Sequence, residues 1–177
     1  MKKTGKLAFC AMMTALATVF MLTSYFPYLT YAIPAIAGLF IMLVVIEADK
    51  RYAFIAYCAS AVLVFIMAEP EAKMLYIMFF GYYPIIKSTF EGLKSRILEY
   101  VLKFIVFNTA VVAAYLLMTA VFQIPIGDMG EFGKYTSIIL LVAANLVFPI
   151  YDIAVSRMAQ FYIVRVHPSV SRIFKGK

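Results

Sequence analysis

Few residues of this chain could do chemistry, and most of them sit in apolar sequence. The only histidine, His167, lies in a basic C-terminal stretch. The HExxH, CxxC, phosphate-loop and GxSxG patterns are all missing. A metalloprotease needs clustered histidine and carboxylate ligands. A serine hydrolase needs a base near its nucleophile, and Ser60 lies in an apolar run that holds no histidine. These absences argue against an enzyme, so no catalytic residue, resident metal or cofactor is expected. Without a phosphate loop the chain cannot hydrolyse ATP itself, and any uphill work must draw on a partner or an ion gradient. The two cysteines, Cys10 and Cys58, fit no metal spacing and read as small buried hydrophobes.

The polar residues inside apolar runs then carry the interest, because burying them is costly unless they pair or act. Asn108 and Asn145 each offer amide donors and acceptors, which suit a polar uncharged heterocycle or amide ligand. An interhelical hydrogen bond, worth about 0.6 kcal/mol, is the structural alternative. Asp152 and Arg157 follow on the last apolar run, with Lys87 and Lys103 at comparable depth on earlier ones. A salt bridge from Asp152 to one of those lysines is favoured over a proton relay, since no second deep acid is present. Ser24 to Tyr31 is an uncharged stretch with three tyrosines, Tyr25, Tyr28 and Tyr31. It reads as an interfacial anchor or as an aromatic lid over a pocket, which Tyr115 could also face. Ala8, Ala11, Ala15 and Thr18 recur at three- and four-residue steps and form a small-residue stripe. Such a stripe lets another helix approach closely, from within this chain or from a partner. Ala53, Ala56 and Ser60 form a weaker one.

The elements that must position these residues follow from composition. Of the 177 residues, 65% are apolar and 14% charged, against roughly 45–50% and 25% in soluble domains. That excludes an ordinary soluble domain and a disordered chain. Long continuous apolar runs rather than strict alternation exclude an outer-membrane barrel. Six runs are predicted as helices: Leu7–Tyr25, Tyr31–Ile46, Tyr52–Met67, Met74–Ile86, Leu98–Phe122 and Tyr135–Tyr162. The second and fourth are short. The chain thus reads as an all-α integral membrane protein, a single domain over residues 1–177 with six transmembrane helices and both termini cytoplasmic. The Met-Lys-Lys start resembles a signal peptide, but the run is long and lacks a small-x-small cleavage site, so a retained first helix is expected.

Basic residues support that topology. The segments assigned inside hold Lys2, Lys3, Lys6, Lys50, Arg51, Lys87, Lys94, Arg96, Lys103, Arg157, Arg165, Arg172, Lys175 and Lys177; the outer ones hold only Lys73 and Lys134. The net charge of +7 therefore reads as membrane orientation, not nucleic-acid binding. The Lys87–Arg96 segment offers charge to a cytoplasmic partner or to anionic lipid.

A six-helix chain of this length, with a basic start and the alanine-faced stretch Leu7-Ala-Phe-Cys-Ala-Met-Met-Thr-Ala-Leu-Ala17, resembles the substrate-binding S components of energy-coupling factor transporters. The resemblance implies a membrane-embedded, high-affinity binding subunit for a vitamin-like micronutrient in a bacterial or archaeal cytoplasmic membrane. It implies docking through Ala11 and Ala15 onto a transmembrane T component joined to two cytoplasmic ATPases. It also implies a site near the outer side, where Tyr28, Tyr31, Tyr115 and Asn145 would fall. The competing reading is a small polytopic scaffold of the rod-shape type, which would use the same small-residue faces and have no ligand pocket.

Overall fold

The computed structural model describes residues 3–26, 29–121 and 136–170. Tyr28 lies outside the described residues, as do Lys2, Lys134, Arg172, Lys175 and Lys177 of the charge count. All regular structure among the described residues is helical. The elements are α1 (Lys3–Leu22) with a 3₁₀ turn (Thr23–Tyr25), α2 (Ala32–Glu47), α3 (Lys50–Met67), α4 (Pro70–Leu75), a π-helical stretch (Tyr76–Phe80), α5 (Tyr83–Phe90), α6 (Arg96–Val121) and α7 (Thr136–Arg165).

Four of these helices are long and apolar enough to cross a membrane: those covering Lys3–Tyr25, Lys50–Met67, Arg96–Ala120 and Ile138–Arg165. This composition is compatible with a multi-pass membrane protein. Ala32–Glu47 is apolar but shorter. The fourth predicted run, Met74–Ile86, is not one continuous α-helix. Pro70 stands in the first turn of α4, where its missing N–H costs nothing, and the Glu69 carboxylate caps the turn by accepting from the Ala72 N–H at 2.9 Å. The helix then widens into the π stretch, and Gly81 and Tyr82 form a turn before Pro84 opens α5. Pro84 has no N–H with which to continue the preceding helical ladder.

Hydrogen bonds sort the helix ends into two groups. At one end the Lys6 ammonium pairs with Asp49, and Lys50 Nζ donates to the Ser88 carbonyl at 3.2 Å and to Thr89 Oγ1 at 3.1 Å. At the other end Tyr25 OH donates to the Met67 carbonyl and Tyr31 OH to Glu71 Oε2, both at 3.1 Å.

The interior divides in the same economical way. Phe9, Cys10 and Met13 of α1 pack with Ile41 and Val44 of α2 and with Ala53 and Ala56 of α3. The small-residue stripe of α3 is fully internal and brings α1 so close that Thr14 Oγ1 donates to the Ala56 carbonyl at 3.4 Å. A second packing centre is aromatic. Phe107 and Phe148 stack with centroids 4.4 Å apart; Phe79 meets Phe107 edge-on at 5.2 Å and lies tilted against Tyr83 at 4.6 Å.

Gly38 of α2 is where the π stretch crosses most closely. A Cβ built there would lie 2.3 Å from the Phe80 carbonyl oxygen. Backbone cannot give way as a flexible side chain can, so Gly38→Ala is expected to destabilise the protein by about 1–3 kcal/mol. Gly92→Ala, whose nearest neighbour would be 3.3 Å away, is expected to cost less. Thermal unfolding of the two variants in detergent checks the difference.

Candidate functional site

The polar side chains of α6 and α7 form two layers. Asn108 and Asn145 make a reciprocal amide pair, each Nδ2 donating to the other's Oδ1 at 2.9 Å. Each Nδ2 also donates to the carbonyl four residues earlier, Phe104 and Leu141 respectively, at 2.9 Å. Both N–H groups of each amide are therefore used within the protein.

One aromatic layer separates this pair from a charged cluster. Phe104 and Phe107 of α6 enclose Phe148 of α7, at 5.1 and 4.4 Å between centroids. Beyond them Asp152 is buried, and its carboxylate is heavily bonded. Oδ1 accepts from Tyr83 OH at 2.5 Å and from the Lys87 ammonium, and Oδ2 accepts from Lys103 Nζ at 3.0 Å. Lys87 Nζ also donates to the Asp152 carbonyl at 3.1 Å and pairs with Glu91 at 3.0 Å. Lys103 pairs with Glu99 at 2.6 Å. The expected salt bridge from Asp152 is thus made to both lysines, not to one. The local sequence produces this register directly. Tyr83, Lys87 and Glu91 recur every four residues along α5 and beyond its end, and so do Glu99 and Lys103 on α6, which stacks each set on one helix face.

Tyr83, Glu91 and Glu99 were not singled out from sequence, although the four-residue spacing to Lys87 and Lys103 was available as a signal. A second cluster gave no such signal. Glu47, the last residue of α2, has a side chain only 2% exposed. Its Oε1 accepts from Tyr162 OH at 3.0 Å and lies 2.8 Å from His167 Nδ1. The partners are 115 and 120 residues away in sequence. Among the described residues, no three His, Cys, Asp or Glu side chains group as metal ligands.

The remaining candidates are dispersed. Tyr25, Phe26 and Tyr31 are each more than 60% exposed, and Tyr31 spends its hydroxyl on Glu71. Tyr115 is half-buried on α6, and its carbonyl accepts from Thr119 Oγ1 at 3.0 Å. On α1, Ala8, Ala11 and Ala15 are exposed and lie beside the exposed side chains of Met12, Leu16 and Val19. The stripe leaves the surface at Thr18, which is buried and donates to the Thr14 carbonyl at 2.9 Å. A cleft of about 370 Å³ opens between α2, α5 and α7, at the end where Lys87 and Asp152 lie.

Two expectations follow. Replacing Asn108 or Asn145 alone by Leu leaves the other amide unpaired, while the double replacement removes both. A double-mutant cycle on thermal unfolding in detergent is expected to return a coupling of about 0.6–1.7 kcal/mol. Tyr83→Phe keeps the ring in the aromatic packing but removes a hydrogen bond to a carboxylate, and is expected to cost about 1.5–3 kcal/mol.

No protein-family model matches the chain, and comparison with curated proteins and with solved structures gives no significant match.

Proposed function

We propose that the chain is the membrane-embedded binding subunit of an uptake system for a vitamin-like micronutrient, resembling the S components of energy-coupling factor transporters. In this reading α2 and the broken segment 70–90 supply two further spans, making six with both termini cytoplasmic. The subunit binds its ligand and relies on a transmembrane T component and two cytoplasmic ATPases for energy.

The observation that carries this reading is the outward-facing alanine stripe of α1. Ala8, Ala11 and Ala15 are left exposed by the described helices, although alanine at this spacing is what close helix–helix contact needs. A lipid-facing surface gains nothing from small residues, so a partner helix is the natural occupant. The charge asymmetry read from the sequence supports cytoplasmic termini.

A second reading, the small polytopic scaffold, draws on a different observation. Asn108 and Asn145 satisfy one another, so neither amide has an N–H left for a ligand unless the pair opens. A scaffold would hold partner enzymes through the same alanine stripe.

Ligand-induced stabilisation separates the two. In a thermal-shift screen of the purified chain against vitamins, the binding subunit is expected to gain at least about 2.7 kcal/mol with a ligand at a hundred times its Kd, and the scaffold to gain nothing. Ala11→Leu together with Ala15→Leu is expected to abolish copurification of a T subunit and coupled uptake while leaving ligand binding unchanged. If coupling and binding both survive, the docking role of the stripe is wrong.

A further inference from the structure

The cleft between α2, α5 and α7 has walls and a rim of different character. Met42, Pro84, Val155 and Ile163 supply apolar surface, and Glu91 and Gln160 supply polar groups. Its volume, about 370 Å³, has room for about a dozen units of water or methylene size at ~30 Å³ each. Beside it on α7, Ile153, Phe161 and Val164 are all more than half exposed. The cleft therefore adjoins the apolar outer surface of the bundle.

Its rim carries charged groups of both signs. The cluster behind it holds two ammonium groups, Lys87 and Lys103, against three carboxylates, Asp152, Glu99 and Glu91. The lysines and Asp152 are almost completely buried, with side chains 2–7% exposed, and Glu99 is 16% exposed, whereas the Glu91 side chain is 44% exposed. The most exposed carboxylate of the set, Glu91, thus lines the cleft, and Lys50 Nζ donates to the carbonyl of Ser88 on the same lining. Glu91 Oε1 already pairs with Lys87 at 3.0 Å and accepts from Ser156 at 3.3 Å. Its other oxygen, Oε2, has no hydrogen-bond partner among the described residues, and the Gln160 amide makes no hydrogen bond among them either.

We propose that this cleft binds a membrane phospholipid with a primary-ammonium headgroup, of the phosphatidylethanolamine class, its chain along the apolar walls and its ammonium on Glu91. The headgroup chemistry follows from the rim. A primary ammonium brings both a positive charge and N–H donors for the free carboxylate oxygen of Glu91. A phosphatidylcholine brings the charge without a donor, and an anionic phosphatidylglycerol brings no cation for Glu91. The tail follows from the walls and from the adjoining apolar surface. This inference depends on the chain lying in a membrane and not on the uptake reading, since lipid retention needs neither substrate nor partner.

The test uses the full chain in detergent, equilibrated with vesicles of equal phosphatidylethanolamine, phosphatidylcholine and phosphatidylglycerol with identical chains, and read by native mass spectrometry. The expected result is one retained phosphatidylethanolamine per chain, favoured at least tenfold over each of the other two. Ala159→Phe, which fills the cleft, is expected to lose the retained lipid. Glu91→Gln lies on a half-exposed side chain that the fold tolerates more readily. It is expected to keep a lipid but to erase the preference for phosphatidylethanolamine over phosphatidylcholine, with gel filtration unchanged. Equal retention of the three headgroups by the native chain, a preference for phosphatidylglycerol, or an unaltered preference in Glu91→Gln would overturn the proposal.

Discussion

A carboxylate buried in an apolar bundle must be neutralised, and the arrangement of α5, α6 and α7 follows from how Asp152 meets that demand. Moving an unpaired carboxylate out of water costs several kcal/mol even after relaxation. Asp152 avoids this by accepting from Tyr83, Lys87 and Lys103 at once. Two of those partners come from α5 and one from α6, so a single side chain of α7 fixes the register of three elements. Glu99 and Glu91 complete the arrangement by taking the remaining donors of the lysines. The break at the π stretch belongs to the same solution. It allows the chain from Pro70 to Phe90 to pass close to Gly38 and still present Tyr83 and Lys87 to Asp152. The aromatic layer of Phe104, Phe107 and Phe148 separates the cluster from the asparagine pair.

The first three helices meet mainly through close packing, with Lys6 paired to Asp49 at one end. Ala53, Ala56 and Ser60 remove the bulk that would keep α3 from α1, and the buried face of α1 supplies Phe9, Cys10, Met13 and Met21. The alanines on the other side of α1 stay exposed among the described residues. The open small-residue face of α1 is the feature on which the proposed function draws.

Helix positions were largely legible from the sequence, because continuous apolar runs bounded by charge leave little freedom. Five of the six runs match single helices within a few residues. The Met74–Ile86 run departs from a single helix because its continuous apolarity masked the Gly81 turn and the π stretch. Charge pairing at Asp152 was legible from the cost of burial alone. The phase of the small-residue stripes was not. Spacing suits internal packing and partner docking equally, and only the tertiary contacts send the α3 stripe inward and the α1 stripe outward. Glu47, whose partners Tyr162 and His167 lie at the far end of the chain, could not have been paired without the fold. The tyrosines of Ser24 to Tyr31 read from composition as an interfacial anchor or a lid; Tyr25 and Tyr31 are exposed and bonded to Met67 and Glu71.

The claim that one ion cluster locks α5, α6 and α7 together is tested most directly by hydrogen–deuterium exchange on Asp152→Asn in detergent. Asparagine keeps the shape but removes the charge that both lysines answer, leaving them buried without a full counterion. The account predicts faster exchange in α5, in the half of α6 that carries Lys103 and in α7, with α1 and α3 unchanged. Exchange that is unchanged everywhere, or that rises equally in α1 and α3, would contradict it.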